Sequence, residues 1–259
     1  MALWGRRDRR GDDAAGTGPA PGADGWAEVA FRRRRVRFAI DDPGDSVQKH
    51  LVRGSFYEPG LLRRHVEMVP RGTTVVDVGA NVGNHCVFYA LSGAGRVYPF
   101  EPNPRANLLL RRTVAANSGL DAVDLTHVDH GVGAEPAELF PHTPGRRNLG
   151  STRLAERGEA GEAPVQVVPL DSLTLQGRVT LLKIDVEGME LAVLAGAERL
   201  VAEHRPALAI EVDDESQDAF WDWAEHCRYH VVHAVKMYRR NINYVCIPRG
   251  SGRSPAIHL

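Results

Sequence analysis

The chain has little of what marks secreted, membrane-spanning or nucleic-acid-binding proteins. Its 259 residues include three cysteines, Cys86, Cys227 and Cys246, which are far apart and form no C-x-x-C pair. This pattern predicts reduced thiols in a cytoplasmic protein, without a disulfide framework or a zinc site. No apolar run approaches the ~18 residues that a membrane helix needs, and none follows the N-terminal arginines as in a signal peptide. The net charge of −1 gives no overall attraction for nucleic acid.

The composition that is present predicts one large α/β domain with appendages. Hydrophobic residues make up 43% of the chain, enough for a sizeable core. Residues 1–24 consist largely of Gly, Ala, Pro, Asp and Arg and predict a disordered tail. We expect an N-terminal strand and helix extension over residues 25–70 and the main domain over residues 71–249.

The extension contains an arginine run, in the stretch "EVAFRRRRVRFAI" from Glu28 to Ile40. It has two interpretations. The arginines either form a basic patch for an anionic partner, or they are the solvated residues of a strand or hairpin edge, where charge discourages pairing with other chains. The apolar residues on both sides of the run favour the hairpin.

Strands and helices alternate along the main domain, which predicts a parallel sheet with right-handed crossovers. Residues 131–164 are polar, with weak periodicity, and form the candidate specificity element. The last two strands are joined by a short polar turn and predict an antiparallel hairpin. The earlier predicted strands are Thr74–Val78, Arg96–Phe100, Val123–Val128, a short one around Val165–Pro169, Val179–Asp185 and Ala207–Val212.

A glycine-rich loop connects the first of these strands to a helix, within "TVVDVGANVGNHCVFYA". Such a loop brings backbone N–H groups and a helix N-terminus close to a ligand. A phosphate-binding P-loop needs Lys-Ser/Thr after its second glycine, where this chain has Asn84-His85. A dinucleotide site needs G-x-G-x-x-G, whereas Gly79 and Gly83 are spaced G-x-x-x-G, with Asn81 between them.

S-adenosylmethionine fits this loop better, because it carries an ammonium, a sulfonium and a ribose diol but no phosphate. Asp77 lies two residues before Gly79, and the next strand ends in "FEPNP", with Glu101 followed by Pro102. A carboxylate at that strand end accepts hydrogen bonds from both ribose hydroxyls. The chain after the third predicted strand brings Asp129 and His130 toward the adenine. The predicted cofactor-binding residues are therefore Asp77, Gly79, Asn81, Gly83, Glu101, Pro102, Asp129 and His130.

Four segments together resemble the FkbM-type methyltransferases, namely "VVDVGANVGNH", "VYPFEPNP", "LLKIDVEGMELAVLAGAERL" and "PALAIEV". The resemblance covers roughly residues 50–248, and "KIDVEGME" is its most diagnostic piece. It implies a class I methyltransferase Rossmann-like fold, a seven-stranded, mostly parallel sheet with an antiparallel last strand and helices on both faces. It also implies O-methylation of small molecules such as natural products and sugars. Pro99 departs from the alanine that is usual in the family at this position.

Two acids in "KIDVEG", Asp185 and Glu187, are the predicted catalytic residues, because ligands of open α/β sheets lie beyond the carboxyl ends of the strands. An ordinary carboxylate is ionised at neutral pH and can accept a hydroxyl proton. Asp185 is the first choice for general base. A divalent metal is the main rival, with Asp185, Glu187 and Glu211 as its candidate ligands. Among the histidines, His85, His127 and His130 are more typical of structural roles, and His142 is the next candidate base.

Three other functions remain open at this point. An RNA methyltransferase would use the arginine run as its grip, although the near-neutral charge disfavours nucleic acid as a partner. A nicotinamide-dependent oxidoreductase is disfavoured by the loop spacing, and a non-catalytic S-adenosylmethionine-binding protein by the acidic strand ends. Many nucleobase N-methyltransferases carry an Asn/Asp-Pro-Pro-Tyr/Phe motif at this position. This chain has "KIDVEG" there instead, which disfavours N-methylation of a nucleobase.

Overall fold

In the residues that the structure describes, the central sheet has six strands in the order β11-β12-β10-β9-β3-β4. The computed structural model describes residues 25–144, 148–158, 162–236 and 240–250. The disordered tail predicted for residues 1–24 lies outside the described residues. The strands of the central sheet are β3 (Thr74–Val78), β4 (Arg96–Phe100), β9 (Val179–Ile184), β10 (Ala207–Asp213), β11 (Tyr229–Val235) and β12 (Asn241–Pro248).

Four neighbouring strands of this sheet run parallel, and β12 runs antiparallel to both of its neighbours, β10 and β11. The closing antiparallel hairpin is therefore as the sequence predicts. Helices cover both faces of the sheet and enclose one apolar core on each side. The helices are α1 (Gln48–Val52), α2 (Pro59–Glu67), α3 (Asn84–Ser92), α4 (Pro104–Ala115), α5 (Glu190–Ala195), α6 (Glu198–His204) and α7 (Gln217–His226). No helix in the described part of the chain is long and apolar enough to cross a membrane.

The prediction of a strand over Val123–Val128 is wrong, and the central sheet lacks the seventh strand among the described residues. Val123 makes one isolated bridge to Val97, and the chain then turns away from the sheet. The Asp124 carboxylate causes the turn, because it accepts hydrogen bonds from the N–H and the hydroxyl of Thr126. The chain meets the sheet again at Val128, whose carbonyl accepts a hydrogen bond from the Glu101 N–H at 2.6 Å. Asp129 and His130 therefore still follow next to the carboxyl end of β4.

The arginine run forms the turn of an antiparallel hairpin made of β1 (Trp26–Phe31) and β2 (Arg34–Ala39). The side chains of residues 32–35 are exposed. The other end of the hairpin packs on α4, where the Thr113 hydroxyl accepts a hydrogen bond from the Ala39 N–H at 3.0 Å. Apolar residues of the hairpin join the core beneath α3 and α4. The hairpin interpretation is confirmed in its geometry.

Residues 131–164, whose sequence shows only weak periodicity, contribute three strands to a small sheet in the order β5-β8-β6-β7, and the fourth strand, β8, lies where a short strand is predicted around Val165–Pro169. Val132 and Leu149 from this region are buried in the two cores, which fixes the small sheet beside the carboxyl ends of the central strands. The region thereby forms one wall of the cleft described below. Its strands are β5 (Gly131–Val132), β6 (Ala137–His142), β7 (Arg153–Ala155) and β8 (Val165–Val168).

A distant side chain caps the N-terminus of α6. The two carboxylate oxygens of Asp171 accept hydrogen bonds from the N–H groups of Arg199 and Leu200, at 2.6 and 2.9 Å. These N–H groups have no partner within the helix.

We expect Asp171→Ala to lower the free energy of unfolding by about 1 kcal/mol, measured by urea denaturation. Asp171→Asn, which keeps one acceptor oxygen, should lose less, and an unchanged midpoint for the alanine variant would show that this cap does not stabilise the fold.

Candidate active site

A cleft opens at the carboxyl ends of β3, β4 and β9, between the central sheet and the small sheet. It encloses about 590 Å³ including its open mouth. Five predicted cofactor residues and one predicted catalytic residue line it, so the structure brings together positions that are far apart in sequence. These six are Gly79, Asn81, Glu101, Pro102, His130 and Asp185, and the rest of the lining is Val78, Phe100, Gly131, Val132, Leu149, Gly150, Thr152, Leu154, Val186 and Met189.

The glycine loop passes directly over the end of β9. Gly79 has φ +81°, and a Cβ atom at this position would lie 1.8 Å from the carbonyl oxygen of Asp185. Only glycine fits here, both because of the backbone conformation and because of the close approach. Asn81 also has a positive φ, of 50°. The N–H groups of Gly79 and Ala80 both donate to the carbonyl of Phe100, which ties the loop to β4.

Glu101 holds the other side of the loop. Its carboxylate accepts hydrogen bonds from the N–H groups of Asn81, at 2.7 Å, and Asn103, at 2.8 Å. Each carboxylate oxygen can accept a second hydrogen bond, so both remain able to bind a ligand in the cleft. Burial raises the pKa of Glu101 to about 7, although the two N–H groups oppose that shift.

Lys183 joins the loop to Asp185 in the wall of the cleft. It is 4% exposed and lies opposite Asp77 in the register of β3 and β9. Its Nζ atom is 3.0 Å from an Asp77 carboxylate oxygen, 2.6 Å from the carbonyl oxygen of Gly79 and 3.7 Å from the Asp185 carboxylate. Burial opposes the charge on Lys183, but the carboxylates of Asp77 and Asp185 outweigh burial and raise its pKa. One ammonium group therefore contacts three parts of the candidate site.

The polar atoms of the cleft suit a ligand that carries positive charge and hydroxyl groups. Asn81 Oδ1 and His130 Nδ1 are buried without a hydrogen-bond partner among the described residues. None of the described lining residues is lysine or arginine, and Glu101 and Asp185 supply the carboxylates. Apolar side chains such as Phe100, Leu149 and Met189 offer surface for a flat ring. The residues present therefore fit S-adenosylmethionine, which has an ammonium, a sulfonium, a diol and an adenine but no phosphate.

Three predicted cofactor residues do not line the cleft. Asp77 is fully buried and pairs with Lys183 below the loop. Gly83 has φ +93° and forms the N-cap of α3. The Asp129 side chain is 65% exposed and lies 3.4 Å from His130 and 3.7 Å from Arg111. The structure places these residues around the binding surface, where they act on a ligand only through their neighbours.

Two further carboxyl groups, those of Glu187 and Glu211, interact with Asp185. Glu211 is hydrogen-bonded to Asp185, and burial, the Asp185 charge and that bond all raise its pKa. Burial, and next the Asp185 charge, raise the pKa of Glu187 to about 7. An Arg153 nitrogen is 3.8 Å from the Glu187 carboxylate. Glu187 and Glu211 are beside the cleft and Asp185 is in its wall.

Among the described residues, His130 is the one histidine that lines the cleft. Within the described ranges, no group of three or more His, Cys, Asp or Glu side chains is arranged to hold a metal ion. His85 is buried in α3, and burial lowers its pKa well below the usual range. His127 stacks on Phe100, and His142 lies on β6, outside the cleft lining.

Sequence reasoning missed several residues of this site. Lys183 had a signal, since it is a charged residue in an otherwise apolar strand of the "VTLLKID" run. Glu58, the N-cap of α2, had none; burial, and next the Asp185 charge, raise its pKa. Leu149, Gly150 and Thr152 come from the region whose sequence shows no periodicity.

Comparisons with known proteins show what the chain is similar to. The methyltransferase FkbM domain matches residues 77–231. The methyltransferase sdnD of Sordaria araneosa is 29% identical over 161 residues, which are 50% of this chain and 62% of that protein. The 31-O-demethyl-FK506 methyltransferase FkbM of Streptomyces tacrolimicus is 30% identical over 177 residues, which are 57% of this chain and 68% of that protein. The chain thus spans only part of the length of either relative.

Among solved structures, a methyltransferase FkbM from Methylobacillus flagellatus KT aligns with a TM-score of 0.47 and 16% identity, over 76% of this chain and 52% of that one.

The family match covers 155 of the 259 residues and includes the glycine loop, Glu101 and the Asp185 motif. The chain therefore belongs to the FkbM methyltransferase domain family, whose members are methyltransferases, and this membership implies use of S-adenosylmethionine.

Proposed function

We propose that this protein transfers the methyl group of S-adenosylmethionine to a hydroxyl group of a small molecule, such as a natural product or a sugar. The observation that carries the proposal is the charge of the cleft, whose described lining has carboxylates and no lysine or arginine. Such a surface attracts a sulfonium cofactor and repels the pyrophosphate of a nicotinamide dinucleotide. The name of the Streptomyces relative, an O-demethyl-compound methyltransferase, supports an oxygen acceptor.

On this proposal, the residues of the loop hold the cofactor by hydrogen bonds. Glu101 accepts from the ribose hydroxyls, since its oxygens keep free lone pairs beside the backbone N–H groups. Asn81 Oδ1, which has no partner in the described protein, accepts a further hydrogen bond. Pro102 and His130 border the adenine, and Asp129 lies beside His130 outside the cleft lining. When bound, the cofactor supplies an activated methyl group whose leaving group is a neutral thioether.

The acceptor side then has two tasks, to orient the hydroxyl and to remove its proton. Orientation can contribute about 7–11 kcal/mol of barrier lowering, and a positioned base about 3–5 kcal/mol. Asp185 is our candidate for the base, because it is the one carboxylate at the end of β9 that lines the cleft. Glu187, two residues on, bounds the same space and helps to orient the acceptor.

Binding of S-adenosylhomocysteine tests the cofactor assignment without knowledge of the acceptor. In calorimetry we expect S-adenosylhomocysteine to bind and NAD to give no signal. Glu101→Ala should weaken S-adenosylhomocysteine by one to two decades, because hydrogen bonds to a charged group contribute about 1.5–3 kcal/mol. Glu138→Ala is the matched control, since Glu138 is exposed on β6 outside the cleft lining.

Tight NAD binding without an S-adenosylhomocysteine signal would overturn the proposed function. An unchanged affinity in a folded Glu101→Ala protein would leave the cofactor assignment intact and remove Glu101 from it.

Replacement of Asp185 tests the acceptor side. We expect Asp185→Asn to reduce transfer of labelled methyl groups to alcohols by about 10²-fold or more, because the amide cannot take the proton. The affinity for S-adenosylhomocysteine should barely change, and EDTA should have no effect on the wild type.

If EDTA abolishes activity and Mg²⁺ or Mn²⁺ restores it, these acids act as metal ligands rather than as the base. Near-normal turnover of Asp185→Asn would exclude both models.

A further inference from the structure

A buried carboxylate of the N-terminal extension, that of Asp45, contacts the wall of the cleft. Asp45 is 1% exposed and lies outside residues 77–231, where the family domain matches. One of its oxygens accepts hydrogen bonds from the N–H groups of Val47 and Gln48 at the start of α1, at 2.9 and 3.0 Å. The other accepts one from the N–H group of Leu149, at 2.9 Å. Asp45 therefore joins two segments that are 104 residues apart in the sequence.

Leu149 begins a short helical turn, Leu149–Ser151, which we call the wall turn because Leu149 and Gly150 line the cleft. The first N–H groups of a helical turn have no partner within it. Leu149 is 5% exposed, and the Asp45 carboxylate supplies the acceptor for its N–H group in a buried hydrogen bond. Without that acceptor a buried donor would be unsatisfied, which is costly, and the wall turn would relieve the cost by moving toward solvent.

The wall turn lies against the glycine loop. A Cβ atom at Gly150 would lie 3.2 Å from Asn81 Nδ2, so the turn and the Asn81 amide are closely packed. The same amide carries Oδ1, which is buried without a hydrogen-bond partner in the described protein. Movement of the wall turn would therefore free the Asn81 side chain to leave the position in which its oxygen is available to a ligand.

The segment before α1 is itself firmly held. Gln48 is fully buried, and its Oε1 atom accepts hydrogen bonds from the N–H groups of Asp41 and Asp42, at 2.9 and 3.1 Å. Asp41 forms an ion pair with Arg105 in the first turn of α4. The segment therefore gives the wall turn a fixed anchor.

A second attachment holds the far end of this wall. The Nδ2 atom of Asn103 donates hydrogen bonds to the hydroxyl groups of Thr143 and Thr152, at 3.0 and 2.9 Å. Thr152 follows the wall turn and lines the cleft. Because this attachment remains when Asp45 is replaced, we expect loss of the Asp45 contact to loosen the wall turn and to leave the small sheet in place.

We propose that Asp45 is a positioning residue of the cofactor site, which holds the wall turn against the glycine loop, so that the N-terminal extension completes the surface that binds S-adenosylmethionine. This inference rests on the proposed function and adds to the site a part that lies outside the family domain. Asp45 is not in the cleft lining and acts on a ligand through Leu149 and Gly150.

Replacement of Asp45 by asparagine separates the two sides of its contact. Asparagine has one acceptor oxygen, which serves either the two N–H groups of α1 or the N–H group of Leu149. We expect the oxygen to stay at α1, where it accepts two hydrogen bonds, and the NH₂ group to face the Leu149 N–H. In calorimetry, Asp45→Asn should then bind S-adenosylhomocysteine about tenfold more weakly than the wild type, because the wall turn is no longer fixed.

Hydrogen exchange of the free protein, followed by NMR, locates the change. The amide of Leu149 should exchange about tenfold faster in Asp45→Asn than in the wild type, because its hydrogen bond is lost. The amides of Val47 and Gln48 should keep their protection, which shows that the start of α1 is intact.

Thr113→Val is the matched control. It removes the acceptor of another buried N–H group of the same extension, that of Ala39, and Thr113 is not in the cleft lining. It should lower the melting temperature and leave the affinity for S-adenosylhomocysteine within about twofold of the wild type. A weakening equal to that of Asp45→Asn would show that any loosening of the extension acts on the site, and would overturn the positioning role of Asp45.

Ser46→Ala is a milder second variant, for the case that Asp45→Asn does not fold. The Ser46 hydroxyl donates to Asn148 Oδ1 at 2.6 Å, just before the wall turn. Its loss should weaken S-adenosylhomocysteine by about threefold.

Wild-type affinity in a folded Asp45→Asn protein, or in Ser46→Ala where the first variant does not fold, would overturn the inference and leave the proposed function standing. If the wild type itself does not bind S-adenosylhomocysteine, the proposed function fails and this inference fails with it.

Discussion

The candidate site depends on one buried ion pair, between Asp77 on β3 and Lys183 on β9. The strands place the two side chains opposite each other, and both are almost completely inaccessible to water. Taking two charges out of water is costly unless the geometry is good and the remaining donors are satisfied. Here the Lys183 ammonium group also donates hydrogen bonds to the carbonyls of Val78 and Gly79, so its N–H groups have acceptors at the end of β3 and in the loop.

This pair links the two halves of the proposed chemistry. The same Nζ atom lies 3.7 Å from Asp185, whose carbonyl oxygen is so close to Gly79 that no side chain fits between them. The Lys183 ammonium and the close backbone contact between Gly79 and Asp185 therefore fix the position of the glycine loop relative to Asp185. The Lys183 ammonium lies below the loop and outside the cleft lining. The charged groups among the described lining residues are therefore carboxylates.

The sequence predicts those parts of the fold and site that local patterns determine. Apolar runs that end in an acid or a glycine mark β3, β4 and β9, and the ends of these strands meet because parallel strands end on one edge. It fails where a single side-chain hydrogen bond or a tertiary contact decides. The Asp124 turn removes a strand that the apolar residues of Val123–Val128 predict. Leu149, Gly150 and Thr152 reach the cleft only through the packing of a region whose sequence shows no periodicity. Asp77 is at the predicted place, but its partner is Lys183.

The most direct test of this account is the affinity of the charge-free double variant Asp77→Asn/Lys183→Met for S-adenosylhomocysteine, measured with its thermal stability. Either single change leaves a buried charge unpaired and should cost about 3–5 kcal/mol, whereas the double variant should recover most of that stability. If the cation orders the loop, the stable double variant still binds S-adenosylhomocysteine at least about tenfold more weakly than the wild type, because the Gly79 carbonyl and Asp185 have lost their common donor. Wild-type affinity in the stable double variant would contradict the account and reduce the pair to a feature of the core.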